Sequence, residues 1–277
     1  MDEEIHQFVD YITATPSEVE LREKVFQLLK WIVQQVYSDA SVSIFGSSAT
    51  GLWLPDASVF HALYLQWRIT RIDNLQPNFS DLDLVVLSPS FAQLRTAEIL
   101  RTLKFTFLSL ATLVKSCVAI EGAKIPILKL QLTTRYGSFE VDISFGNHGG
   151  IAGAREMDRL VGELEATRRG NEGRLVRLVH LMKLFLREKR LNDTKNGGLG
   201  GFSIGLFVVS FLQMQAPQRR TRTPGEDLID FLDLYGRTFE FRRYTITTRS
   251  GGNYLIRART FPGPANHFSL QHPVDLR

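Results

Sequence analysis

A chain of 277 residues that is 44% apolar and 22% charged can bury one large core or two modest ones, which excludes a disordered or low-complexity protein. Its single cysteine, Cys117, excludes an intrachain disulfide and a cysteine-based zinc site, and no apolar run approaches the roughly 20 residues of a membrane helix. The formal net charge of +4 permits a polyanionic partner without demanding one. The acidic start, Met1-Asp2-Glu3-Glu4, is unlike a secretory or mitochondrial leader, so a soluble, intracellular protein with no membrane partner is expected.

Ile5, Phe8, Val9 and Ile12 recur at helical spacing and predict a short amphipathic helix. Thr15-Pro16-Ser17-Glu18 reads as a capping box, opening a helix with Leu21, Val25, Leu28, Ile32 and Val36 on one stripe. Ser41 to Phe45 is the first expected strand, and Gly46-Ser47-Ser48 is the turn that leaves it. Small residues there let a phosphate approach backbone N–H groups, and Ser47 adds a hydroxyl donor. A Gly-Ser turn alone is weak evidence. Beyond Gly51-Leu52-Trp53-Leu54-Pro55, residues 56–79 carry no clear period.

Ser80 to Leu87 then sets Asp81 and Asp83 at alternate positions of an apolar strand, projecting to one side. Two acids side by side repel one another and are out of place on such a strand unless a cation joins them, which points to magnesium. Leu94 to Leu113 is helical in character. Ile125–Leu132 and Phe139–Phe145 read as paired strands turning at Tyr136-Gly137-Ser138. In the second, Phe139, Val141, Ile143 and Phe145 face one way, and Glu140, Asp142 and Ser144 the other. Asp142 thereby supplies the third carboxylate that a two-metal site needs.

From Asp158 onward the character is helical. Arg174 to Arg190 buries Leu175, Leu178, Val179, Met182, Phe185 and Leu186. It carries His180, Lys183, Arg187 and Arg190 on another stripe, read by itself as a solvated basic face. Phe202 to Met214 reads as a buried helix, Pro217 to Pro224 as an exposed basic connector, Leu228 to Tyr235 as a helix and Tyr244 to Ile256 as a hairpin or extended arm.

A Gly-Ser turn, an Asp-x-Asp strand and a third Asp on a later strand resemble the polymerase-β-like nucleotidyltransferases. More narrowly, the chain resembles the noncanonical poly(A) polymerases of the nuclear RNA-surveillance (TRAMP) type, with a PAP-associated domain. The likeness runs through Ile44-Phe45-Gly46-Ser47, Ser80-Asp81-Leu82-Asp83, Ile125-Pro126-Ile127-Leu128-Lys129, Val141-Asp142-Ile143-Ser144-Phe145, Lys183 to Asn192 and Leu234-Tyr235-Gly236-Arg237. It implies an α+β protein: a mixed β-sheet catalytic domain over 41–148, and a helical central domain from 1–40 and 149–277, with the nucleotide in the cleft between them. Asp81, Asp83 and Asp142 would hold Mg²⁺ (or Mn²⁺), Gly46 and Ser47 would cradle the triphosphate, Lys183 with Arg187 would neutralise its outer phosphates, and Phe202 would stack on the base. The implied activity is transfer of AMP from ATP to an RNA 3′ end in the nucleus, with a terminal uridylyltransferase or a catalytically impaired RNA-binding scaffold of the same fold as the alternatives. The implied partners are that RNA, a zinc-knuckle RNA-binding protein and an RNA helicase.

The chain departs from its relatives in places. Gly201-Phe202 stands where they usually have Ser-Tyr, and Gly153-Ala154 where uridylyltransferases carry a ribose-contacting Asn. Residues 56–79 look inserted, either as a surface excursion or as a translated intron, and as a tether they would loosen the link from phosphate turn to acidic strand. The helical domain is expected to be short at its C-terminus, where either Asp275 stands in for the base-reading Asn-Asp pair of the resembled family or that element is missing.

Overall fold

The computed structural model describes residues 1–55, 80–123, 125–166, 173–215, 222–257 and 269–274. Two compact units emerge from its contacts: a sheet unit of Ile12–Ala49 with Trp53–Ile151, and a helical unit of Met1–Tyr11, Thr50–Leu52 and Ala152–Arg277. Among the described residues no helix is long and apolar enough to cross a membrane.

Five strands build the sheet: β1 (Ser41–Ile44), β2 (Leu82–Leu87), β3 (Val114–Ile120), β4 (Ile127–Leu132) and β5 (Glu140–Phe145), in the spatial order β1-β2-β5-β4-β3. β2 and β5 run parallel and the remaining pairs antiparallel. Alternation decides the faces. Leu82, Leu84, Leu128, Leu130, Val141 and Ile143 are fully buried on the core side, so their neighbours in sequence must stand on the other. That second face carries Asp83, Asp142 and Lys129.

Helix α2 (Pro16–Val36) starts at the capping box, with Thr15 and Glu18 bonding reciprocally. Its Val25, Leu29, Ile32 and Val33 join the sheet core beside Ile99, Leu100, Leu103 and Phe107 of a later helix, Thr96–Leu108. Residues 1–40 therefore do not all belong with the helical part as expected. Only α1 (Asp2–Ile12), up to Tyr11, does, because the open apolar face of the sheet takes the α2 stripe. The expected helix over Leu94–Leu113 also ends early, at Leu108, and the chain enters β3. A register shift between Val114 and Ser116 breaks the alternation of that strand and hides it from a period-two reading.

Residues 56–79 lie outside the described residues, but the chain on either side of them is tied. Leu54 N donates to Ser80 Oγ at 3.0 Å. Arg22, buried on α2, donates to Ser80 O at 2.6 Å and to Ser48 Oγ at 3.3 Å. Its guanidinium lies over Trp53 at 4.0 Å and Phe139 at 4.8 Å. One buried cation thus clasps the Gly-Ser turn and the entrance to the acidic strand, so the link between them does not run through residues 56–79 alone.

In the helical unit, His148–Ala166, Arg174–Glu188, Gly201–Gln215 and Pro224–Asp233 form helices, and Tyr244–Thr247 pairs with Asn253–Ile256 as the expected hairpin. The first of these helices begins at His148, ahead of the expected Asp158. Residues 204–213 are buried throughout and anchor the core. His180 is only 2% exposed, so the stripe it shares with Lys183 is not a solvated face at that point. Most of the expected basic connector, with Arg219 and Arg220, lies outside the described residues, but Arg222 is buried. It donates to Asp227 Oδ1 at 2.8 Å, and Arg174 grips the same carboxylate bidentately. Asp2 adds a bond to Gly225 N at 2.7 Å, which fastens α1 to the start of the helix Pro224–Asp233.

Asp227 therefore compensates two buried arginines at once. Asp227→Asn is expected to lower unfolding free energy by about 3–5 kcal/mol, since it strands buried charge. Urea unfolding followed by circular dichroism measures this, and a loss below about 1 kcal/mol would contradict the assignment.

Candidate active site

The register of the sheet lines up one row of side chains on the face away from its core. Asp83 on β2 is the ladder partner of Asp142 on β5, and Asp142 is the partner of Lys129 on β4. Asp81 stands just ahead of β2, and Glu140 lies two residues before Asp142 on the same face. The Lys129 ammonium gathers them, with its Nζ 2.7 Å from Glu140 Oε2, 3.3 Å from Asp81 Oδ2 and 3.3 Å from Asp142 Oδ1. The Asp81 and Asp142 oxygens are therefore separated by at most twice that last distance.

The electrostatics follow from the crowding. Burial pushes the Asp142 carboxyl above its ordinary range; the Lys129 charge opposes this and the Asp81 charge adds to it. Burial also works against the Lys129 ammonium, yet the hydrogen bond to Glu140 and the three carboxylate charges outweigh it and hold its pKa above the ordinary lysine value. Asp142 Oδ1 is buried and makes no hydrogen bond. Among the described residues no three His, Cys, Asp or Glu side chains are drawn together as a ready metal centre; the acids converge on the lysine instead. The donor chemistry nonetheless fits a divalent cation, being all hard carboxylate oxygens, one of them a buried oxygen met only by the Lys129 charge.

The Gly-Ser turn meets this row directly. Phe45 N donates to Asp83 O at 3.0 Å, and Gly46 follows with φ +65°. A Cβ on Gly46 would lie 2.4 Å from Asp83 Oδ2, so glycine is required both for the backbone conformation and for the carboxylate beneath it. Ser47 follows in a single helical turn, Gly46–Ala49.

The other expected site residues belong to the helical unit. Lys183 Nζ donates to Leu52 O at 2.5 Å. Gly201 packs against that lysine, and a Cβ there would sit 3.2 Å from Lys183 Cε. Arg187 lies one turn further along the same helix and is half-buried. Phe202 stacks on His272 with ring centroids 5.5 Å apart and planes at 28°. Gly153 lies beneath that stack, where a Cβ would touch Phe202 at 3.4 Å and His272 at 3.6 Å, leaving little room for a longer side chain. Asp275 lies outside the described residues.

Lys129, Glu140 and Arg22 were not singled out as site residues from the sequence. Period-two alternation already put Glu140 on the Asp142 face, but Lys129 needed the β4–β5 register, and Arg22 had no sequence signal.

Residues 71–155 match the family described as the central palm domain of mitochondrial-like poly(A) RNA polymerase. Poly(A) RNA polymerase cid14 of Schizosaccharomyces pombe is 30% identical over 284 residues, which cover 99% of this chain and 36% of that protein. The Drosophila melanogaster protein Trf4-2, named an inactive noncanonical poly(A) RNA polymerase, is 29% identical over 94% of this chain and 56% of its own length. The solved polymerase core of TRAMP, an RNA surveillance complex, superposes with a TM-score of 0.73 at 28% identity, covering 97% of this chain and 75% of that one. The chain spans 32–38% of the first curated relatives that it matches.

The Gly46 contact makes a paired prediction. Gly46→Ala and Gly51→Ala both force alanine into positive φ, about 1–3 kcal/mol each, but only Gly46 faces a carboxylate. Urea unfolding is expected to show the larger loss for Gly46→Ala; equal losses would mean that Asp83 moves aside freely.

Proposed function

For a chain of nucleotidyltransferase fold that resembles the noncanonical poly(A) polymerases of the TRAMP type, we propose template-independent transfer of AMP from ATP to RNA 3′ ends. The row formed by Asp83, Asp142 and Lys129, joined by Asp81, carries the reading. Nothing in the core of a sheet requires three aspartates to share one edge of a row, whereas a reaction that gathers phosphate charge does.

In this reading Asp81, Asp83 and Asp142 hold the divalent ions, Mg²⁺ or Mn²⁺. Such ions, when bound, lower the pKa of an RNA 3′-hydroxyl and offset triphosphate charge. The Gly46 backbone N–H and the Ser47 hydroxyl meet phosphate oxygens, a role that the missing Cβ and the positive φ permit. Lys183 and Arg187 neutralise outer phosphates, and Phe202 offers its ring to the base. The remaining assignments come from the family likeness: RNA as acceptor, the nucleus as location, and assistance by a zinc-knuckle RNA-binding protein and a helicase. Positive charge on the chain is modest, which suits a polymerase that relies on a partner for RNA affinity.

A second reading is an RNA-binding scaffold of the same fold with little activity. Two observations favour it: Gly201 has no hydroxyl, and the Phe202 ring already faces His272. Tailing assays with a labelled oligoribonucleotide, Mg²⁺ and each of the four nucleotides decide the matter. Extension with ATP supports the proposal, and preferential use of UTP makes the chain a uridylyltransferase. RNA binding without extension favours the scaffold. In an active protein, Asp83→Asn and Asp142→Asn are each expected to slow extension by about 100-fold or more, from lost stabilisation of developing charge.

A further inference from the structure

We propose that Lys129 is a resident counter-cation of the acidic row, holding Asp81, Glu140 and Asp142 together in the absence of divalent metal and competing with metal for them. The inference rests on the reading of that row as a metal site and goes beyond it, by assigning a positioning residue that sets how readily the site loads.

Geometry supports the role in three ways. First, Lys129 is fixed at its base and reaches solvent along part of its side chain. Leu128 and Leu130 on either side are fully buried, and the ladder pairs Lys129 with Asp142, while its side chain remains 33% exposed. Second, an ammonium has three N–H donors, and three carboxylates surround it, one at 2.7 Å and two at 3.3 Å. Third, the closest of the three is Glu140, which is not among the aspartates assigned to metal. Lys129 can therefore give up Asp81 and Asp142 to an arriving ion and keep its strongest partner.

Electrostatics make the arrangement necessary. Asp81, Asp83, Glu140 and Asp142 would place like charges in one small row, and Asp142 Oδ1 is buried where water screens poorly. Asp81 precedes the strand, so the ladder does not fix it; its bond to Lys129 draws it toward Asp142. A single positive charge steadies the row, yet the same charge repels a divalent ion at short range. The lysine therefore trades tightness of metal binding for order before metal arrives.

Mn²⁺ titration of nucleotide-free protein, with free Mn²⁺ read by electron paramagnetic resonance, tests this together with thermal unfolding at each metal concentration. Lys129→Met keeps the apolar stem and deletes the charge. It is expected to bind Mn²⁺ about tenfold tighter than the wild type, because a repelling charge has gone, and to melt lower than the wild type until Mn²⁺ closes the gap. Lys129→Arg keeps the charge and is expected to stay within about threefold of the wild type.

Equal or weaker Mn²⁺ binding by Lys129→Met, with uptake by the wild type intact, overturns the role of Lys129 alone. A tenfold gain in Lys129→Arg as well overturns it too, since charge would then not be the cause. Failure of every folded variant and of the wild type to take up Mn²⁺ overturns instead the reading of the row as a metal site. Should Lys129→Met be unfolded without metal, recovery of its circular dichroism signal on adding Mn²⁺ supports the proposal; the Lys129→Arg arm remains able to overturn it.

Discussion

Carboxylates placed side by side on a sheet repel one another, and that repulsion is met by nearby positive charge or by a proton retained on one of them. Here the parallel pairing of β2 with β5 sets Asp83 against Asp142, and the apolar alternation on the core side keeps both acids on the opposite face. A one-residue slip would bury the acids and expose Leu84 and Ile143. The hydrophobic face thus imposes the electrostatic problem on the opposite face, and Lys129 answers it from the next strand. Fold and chemistry are set by one register.

Much of this was legible in the sequence, for identifiable reasons. Asp81 and Asp83 alternate with leucines in the acidic strand, and Asp142 alternates with Val141 and Ile143, so strand, face and acidity could be read together. The Thr15–Glu18 capping box located its helix start at the right residue. Other features depend on partners that a linear reading does not name. An apolar stripe says that α2 buries a face, without saying whether a sheet or a helix receives it. β3 was hidden by its irregular pairing near Val114, and Arg22 looks like any surface arginine until Trp53 and Phe139 enclose it. Local signals were reliable where the period was clean; allegiance between distant elements had to come from the fold.

The helical unit shows a different economy. Small residues at Gly153 and Gly201 are accommodated by what surrounds them, the Phe202–His272 stack and the Lys183 stem. Arg174, Arg222, Asp227 and Asp230 form the ionic anchor of this unit, unlike the acidic row in that its two cations and two anions balance within the protein.

The bond from Leu54 to Ser80 has a consequence for how such a chain can change over generations. Where two points of a backbone are already held in contact, the length of what joins them is nearly free to drift, since the entropy of a loop grows only with the logarithm of its size. Arg22 reinforces that junction from a third element. Insertions and losses between these points can accumulate while the geometry of the acidic row beside them is inherited unaltered.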